Sequence, residues 1–239
     1  GQHEGIISRG GIIFVLRRFP VSLSFLPSIP EIITYIVILL TAFPVHEFAH
    51  AWTANYFGDD TPRRQGRLTL NPIAHLDLFG SLMLIVVGFG WAKPVMVNEY
   101  AIRRRSSAGP MWVALAGPLS NFGMAILAAI PFRLGLVSTA EIFLVEGALL
   151  PSLAFFLFIF VRVNLFLMLF NLLPLSPLDG EKVLSHFLPP NLANALEAIR
   201  PYGPLILMAL IFVLPMVGID VIGIVILPTL NFLGRLLTG

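Results

Sequence analysis

Residues 31–57 read EIITYIVILLTAFPVHEFAHAWTANYF. Apolar residues dominate the stretch, and as a helix it exceeds the roughly 20 residues that cross a bilayer's hydrocarbon core. Its last third nevertheless carries His46, Glu47 and His50. Ionisable side chains in a membrane span are expensive and are rarely placed there without a role. On a helix, residues four apart share a face, so both imidazoles can approach one cation from the same side. Glu47 follows His46 directly and can reach a water on that cation. His-Glu-x-x-His is the spacing with which zinc lowers a water's pKa while a carboxylate takes the proton during attack on a carbonyl. The competing reading, a chance match on a solvated helix face, fits a soluble protein better than a stretch this apolar.

The remaining sequence fits a membrane setting. The 239 residues are 57% hydrophobic and only 12% charged, with a mean hydropathy of +0.89. A soluble domain of this size needs more polar residues to cover its surface. The formal net charge of +2, with no basic stripe interleaved with aromatics, argues against a nucleic-acid partner. The absence of cysteine excludes disulfides and thiolate ligands, so a metal here must be held by His, Asp or Glu. There is no internal repeat, and residues 1–11 lack the apolar core of a cleavable signal peptide.

Further apolar runs lie at about 110–134 and 147–173. Two shorter ones, at 204–217 and 221–237, read as a helical hairpin with Gly218 and Asp220 at its turn. The run at 81–90 is too short to span and is rich in glycine and β-branched residues, so 81–97 reads as short strands or a re-entrant segment. The expected fold is therefore an α-helical polytopic membrane protein of about five or six membrane segments, with a small membrane-embedded β element near 81–97. The expected division is an interfacial or β segment at 1–30, a catalytic membrane core at 31–183 and C-terminal helices at 184–239. This topology gathers Arg63, Arg64, Arg67, Lys93, Arg103, Arg104, Arg105 and Lys182 on one side, against Arg9, Arg17, Arg18 and Arg133 on the other. The positive-inside rule turns the motif's end toward the cytoplasmic leaflet, with residues 5–25 lying along the membrane surface.

A catalytic zinc takes three protein ligands, and four residues compete for the third place. His3 lies in a polar N-terminal stretch, His75 in a loop beside Asp77, and His186 beside Phe187. Asp179 follows Pro174 and Pro177 and falls in the same leaflet as His50. An Asp-Gly pair after prolines is equally the signature of a turn.

Three segments together resemble the site-2 protease family of intramembrane metalloproteases. They are HEFAH at 46–50, AGPLSN at 116–121 and NLLPLSPLDG at 171–180, and the likeness covers roughly residues 32–183. It implies Zn2+ as the cofactor, Asp179 as the third ligand and Glu47 as the catalytic base. It places Asn171 beside the site, where its amide would meet a substrate backbone or developing oxyanion; an interhelical bond is the plainer role. It also implies a strand edge near Trp91, Lys93, Pro94 and Val95 that pairs with an unwound substrate, although Trp91 and Lys93 equally suit interfacial anchors. Gly117 and Asn121 read as packing residues. No soluble stretch is long enough for a PDZ-like insert or a nucleotide-sensing module. The expected activity is hydrolysis of peptide bonds in or near transmembrane segments. The expected partners are transmembrane protein substrates and the lipid bilayer, with homo-oligomerisation left open. A membrane divalent-metal transporter is the alternative, and an inactive binding relative the third reading. Arg162, inside a span, is expected to pair with Glu141, Glu146 or a carboxylate on a neighbouring helix, snorkelling being the alternative, and 59–67 reads as a solvated loop.

Overall fold

The computed structural model describes residues 28–87, 92–143 and 149–239. The first helix, α1 (Ile29–Tyr56), is opened by Ser28, whose N–H donates to Glu31 Oε2 at 2.7 Å, with Pro30 in its first turn. Both features are helix-start signals. Helix α2 is Leu78–Val87, α3 is Glu99–Arg105, α4 is Gly109–Arg133, α5 is Leu153–Asn171 and α6 is Asp179–Phe187. A continuous helical rod, α7 (Pro190–Met216), precedes the last helix, α8 (Val221–Thr238). Its π turn, Ala209–Val213, falls just before Pro215, which has no N–H to continue the α register.

Five of these helices, α1, α4, α5, α7 and α8, are long and apolar enough to cross a membrane. The chain is thus built as a multi-pass membrane protein. Helix α4 is the hub and packs against α1, α5, α6 and α8. Ala42, Ala51 and Ala54 on α1 and Ala125 on α4 are fully buried, and such small side chains let membrane helices approach closely. Leu165 of α5, Ile211 of α7 and Ile226 and Leu230 of α8 share the largest apolar cluster. Leu127, Leu205, Ile224 and Phe232 stay exposed on outer faces, as a lipid-facing surface requires. The expected hairpin between α7 and α8 is present: Gly218 turns with φ of 88°, and Asp220 Oδ1 caps α8 through the Gly223 N–H at 2.8 Å.

The expected β element near 81–97 requires correction. Residues 81–87 are helical, within α2, and among the described residues there is no strand. The only trace of pairing there is an isolated antiparallel bridge between Leu76 and Ala92. The apolar run starts at Leu78, after Asp77, whose side chain accepts the Gly80 N–H at 2.8 Å. No Gly or Pro interrupts 81–87, and a helix satisfies its own backbone in apolar surroundings. Residues 88–91, and the expected segment at 1–27, lie outside the described residues.

One further expectation changes. Residues 59–67 are not wholly solvated, because Asp59 and Arg67 are buried. Asp59 accepts the N–H groups of Thr61 at 2.9 Å and Asn98 at 2.7 Å. Arg67 donates to the Ala74 and Lys93 carbonyls, and Lys93 N–H donates to His75 O at 2.8 Å. These bonds tie two loops together. Arg162 donates to Asn231 Oδ1 of α8 at 2.8 Å and stacks over Phe158. Glu146 lies outside the described residues. Asp59→Ala strands two N–H groups. It should lower stability by about 1–3 kcal/mol and speed hydrogen exchange at Thr61 and Asn98; unchanged exchange at both would show that Asp59 does not tie the loops.

Candidate metal centre

His46 and His50 project from the buried face of α1, one turn apart, with ring centroids 4.6 Å apart and nearly perpendicular. They lie against the backbone of α4 at Gly117. A Cβ there would sit 2.6 Å from His46 Cε1 and Nε2 and closer still to His50 Nε2. Only glycine leaves room for both imidazoles. The expected packing role of Gly117 is thus specifically to floor this site.

Both rings are fixed by their Nδ1 atoms. His50 Nδ1–H donates to the Val113 carbonyl at 2.7 Å. His46 Nδ1–H donates to Asn121 Oδ1 at 2.6 Å, and Asn121 is itself fully buried. A neutral imidazole protonated at Nδ1 carries its lone pair on Nε2. Both Nε2 atoms are therefore bare, and they lie 3.0 Å from each other. Asn121, read from the sequence as a packing residue, bridges to Asn164 of α5 and also orients a histidine.

Asp179 arrives from a distant part of the chain. Helix α5 ends at Asn171, and α6 starts at Asp179 after the turn containing the two prolines. Gly180 lets that start press against the carbonyls of Leu172 and Leu173, where a Cβ would collide. Asp179 Oδ2 comes 3.3 Å from each Nε2. It is buried and makes no hydrogen bond.

These three atoms can hold a zinc ion. Ligand–metal distances of about 2.0–2.1 Å in a tetrahedron put ligand atoms about 3.3–3.4 Å apart, against 3.0, 3.3 and 3.3 Å found. Two imidazoles and one carboxylate are a usual catalytic-zinc donor set. Among the described residues this is the one group of three or more His, Asp or Glu side chains whose ligand atoms converge, all within 4.8 Å of one another. His75 is buried but bonded elsewhere, to the Thr69 carbonyl at 2.7 Å. His186 is exposed beside Phe187, and His3 lies outside the described residues.

The three residues line a cavity of about 390 Å3 together with Glu47. Glu47 Oε2 accepts the Val95 N–H at 3.1 Å, so the non-helical segment after Ala92 holds this carboxylate. Asn171 and Pro94 also line the cavity, and Asn171 Nδ2 donates to Leu167 O at 2.9 Å within its own helix. Lys93 is exposed and does not line it; Trp91 lies outside the described residues. The sequence reading missed Val113 and Lys182, which also line the cavity, and saw Val95 only as part of a strand edge, not as the holder of Glu47. Val113 and Val95 act through backbone atoms, which leave no mark in a residue pattern. It also missed Asn164, which a polar residue in the middle of an apolar span could have signalled.

Comparison with known proteins gives relatives named "Putative zinc metalloprotease". YwhC of Bacillus subtilis is 43% identical over 187 residues, 78% of this chain and 83% of the relative. Rip2 of Mycolicibacterium smegmatis is 32% identical over 179 residues, 72% of this chain and 64% of the relative. MJ0611 of Methanocaldococcus jannaschii is 30% identical over 168 residues, 68% of this chain and 78% of the relative. No family profile matches the chain, and no solved structure matches it. Gly117→Ala drives a methyl group into both imidazoles. It should weaken zinc binding at least about tenfold by chelator competition, as losses around a metal shell do; parent-like affinity would contradict the floor.

Proposed function

Because this chain belongs to the zinc metalloprotease family of YwhC and MJ0611, we propose that it is a site-2-type endopeptidase that cuts peptide bonds within or near transmembrane segments. The observation that carries this reading is the placement of His46, His50, Asp179 and Glu47 around one cavity, with both histidines and Glu47 on a membrane-length helix. His50 lies six residues before the end of α1, about 9 Å along the helix axis, so the chemistry sits below the membrane surface and within reach of water.

A zinc ion held by His46, His50 and Asp179 supplies Lewis acidity and makes water in the cavity more acidic. Glu47 takes the proton of the attacking water and later delivers it to the departing amide nitrogen. Val95 N–H steadies one oxygen of Glu47, and we assign the proton to the other. The substrate must be extended here, because a helix ties up its own carbonyls. The segment beside Glu47 that carries Pro94 and Lys93 is the proposed edge for such a strand, with Trp91, their neighbour in sequence, proposed to join it, and Asn171 the proposed donor to its backbone or oxyanion. The apolar walls, Phe43, Val97, Leu167 and Phe170, suit a segment drawn from a bilayer. The preferred orientation turns the site to the cytoplasmic leaflet. It is supported by the basic residues near this end: Arg105 stacks on Tyr56 at the end of α1, and Lys182 pairs with Glu99.

Two outcomes test the proposal in detergent or reconstituted vesicles. Glu47→Gln should retain zinc yet cleave a membrane substrate at least about 100-fold more slowly; cleavage at the parent's rate would end the mechanism. Chelation should abolish cleavage and added Zn2+ restore it, whereas Mg2+, which prefers six oxygen ligands, should not.

A further inference from the structure

We propose that Asn164, in the middle of α5 and remote from the cavity lining, is a positioning residue for the metal centre that sets the orientation of His46 through Asn121. The inference rests on the zinc reading above. Asn164 and Asn121 are both fully buried. Asn164 Nδ2 donates to the Phe160 carbonyl at 2.9 Å. Asn121 Nδ2 donates to Asn164 Oδ1 at 2.9 Å. His46 Nδ1–H donates to Asn121 Oδ1 at 2.6 Å.

The sense of this chain is forced from its far end. A carbonyl can only accept, so Phe160 O draws the NH2 side of Asn164. The oxygen of Asn164 must then face Asn121, which turns Asn121 so that its own oxygen faces His46. That oxygen selects the imidazole tautomer with its proton on Nδ1 and its lone pair on Nε2, the atom beside Asp179 and His50. A primary amide is nearly symmetric in shape, so Asn121 alone has no steric reason to present oxygen rather than nitrogen to the ring. Presenting nitrogen would favour the other tautomer and put a proton where the metal must bind. A buried membrane asparagine that merely bridges helices would not need this order of donors and acceptors.

The test measures the zinc affinity of folded protein by chelator competition, beside thermal unfolding. Asn164→Leu should weaken zinc binding about 10–100-fold, the range for partners behind a metal ligand; should it not fold, Asn164→Ala carries the same expectation. Leu165→Ala, a cavity in the same helix one residue on, should lower thermal stability while leaving zinc affinity within about threefold. Asn121→Asp offers the ring an acceptor in either orientation, so Asn164→Leu combined with Asn121→Asp should recover most of the affinity lost in Asn164→Leu. Parent-like zinc affinity in the Asn164 variant, an equal loss in Leu165→Ala, or no recovery in the double variant would overturn the relay. A parent protein that binds no zinc would instead overturn the reading on which the relay rests.

Discussion

Three electron-rich atoms, His46 Nε2, His50 Nε2 and Asp179 Oδ2, face one another at 3.0–3.3 Å. Both histidine protons are engaged on the opposite side of their rings, so no proton lies between these atoms to join them. Such a cluster repels itself, and in surroundings of low dielectric the repulsion is strong. It becomes stable when a cation occupies its centre. Much of the surrounding structure serves to hold the three atoms in this arrangement: Gly117 makes room for the rings, Val113 and Asn121 turn them, and Gly180 lets the start of α6 press inward.

Helix α4 unites these roles. It contributes the floor at Gly117, the acceptor at Val113 and the amide at Asn121, and it packs against α1, α5 and α6. A ligand set taken from α1 and α6 is thus referred to one rigid element, as accurate placement of reactive groups requires. The cavity wall is organised differently. Asp59 and Arg67, both buried, stitch the loop after α1 to the segment at 92–98, and the Val95 N–H of that segment holds Glu47. The ligands depend on helix packing, while the base depends on loops whose backbone groups are satisfied by buried charged side chains.

How much could be read in advance follows from the reach of each interaction. Five apolar segments were legible from hydrophobic length, and the observed ends fall within two residues of expectation for α1, α4 and α8, whereas α7, expected from 204, begins at Pro190. The helical state of 81–87 was misread: β-branched residues favour strands in water, but self-contained backbone bonding prevails in apolar surroundings. Arg162 reaches the amide of Asn231 from α8, a pairing that no local pattern encodes.

By itself, the sequence determined that the protein is helical and membrane-embedded, and that His46 and His50 share one helical face with Glu47 beside them, because helical periodicity fixes neighbours four residues apart. Only the tertiary structure decided that Asp179 reaches that face, that Asn121 and Val113 choose which nitrogen of each ring is bare, and that Val95 holds the carboxylate of Glu47. Those relations join residues from 48 to more than a hundred positions apart. They depend on helix packing and on backbone atoms, which every residue carries alike, so no choice of side chain announces them.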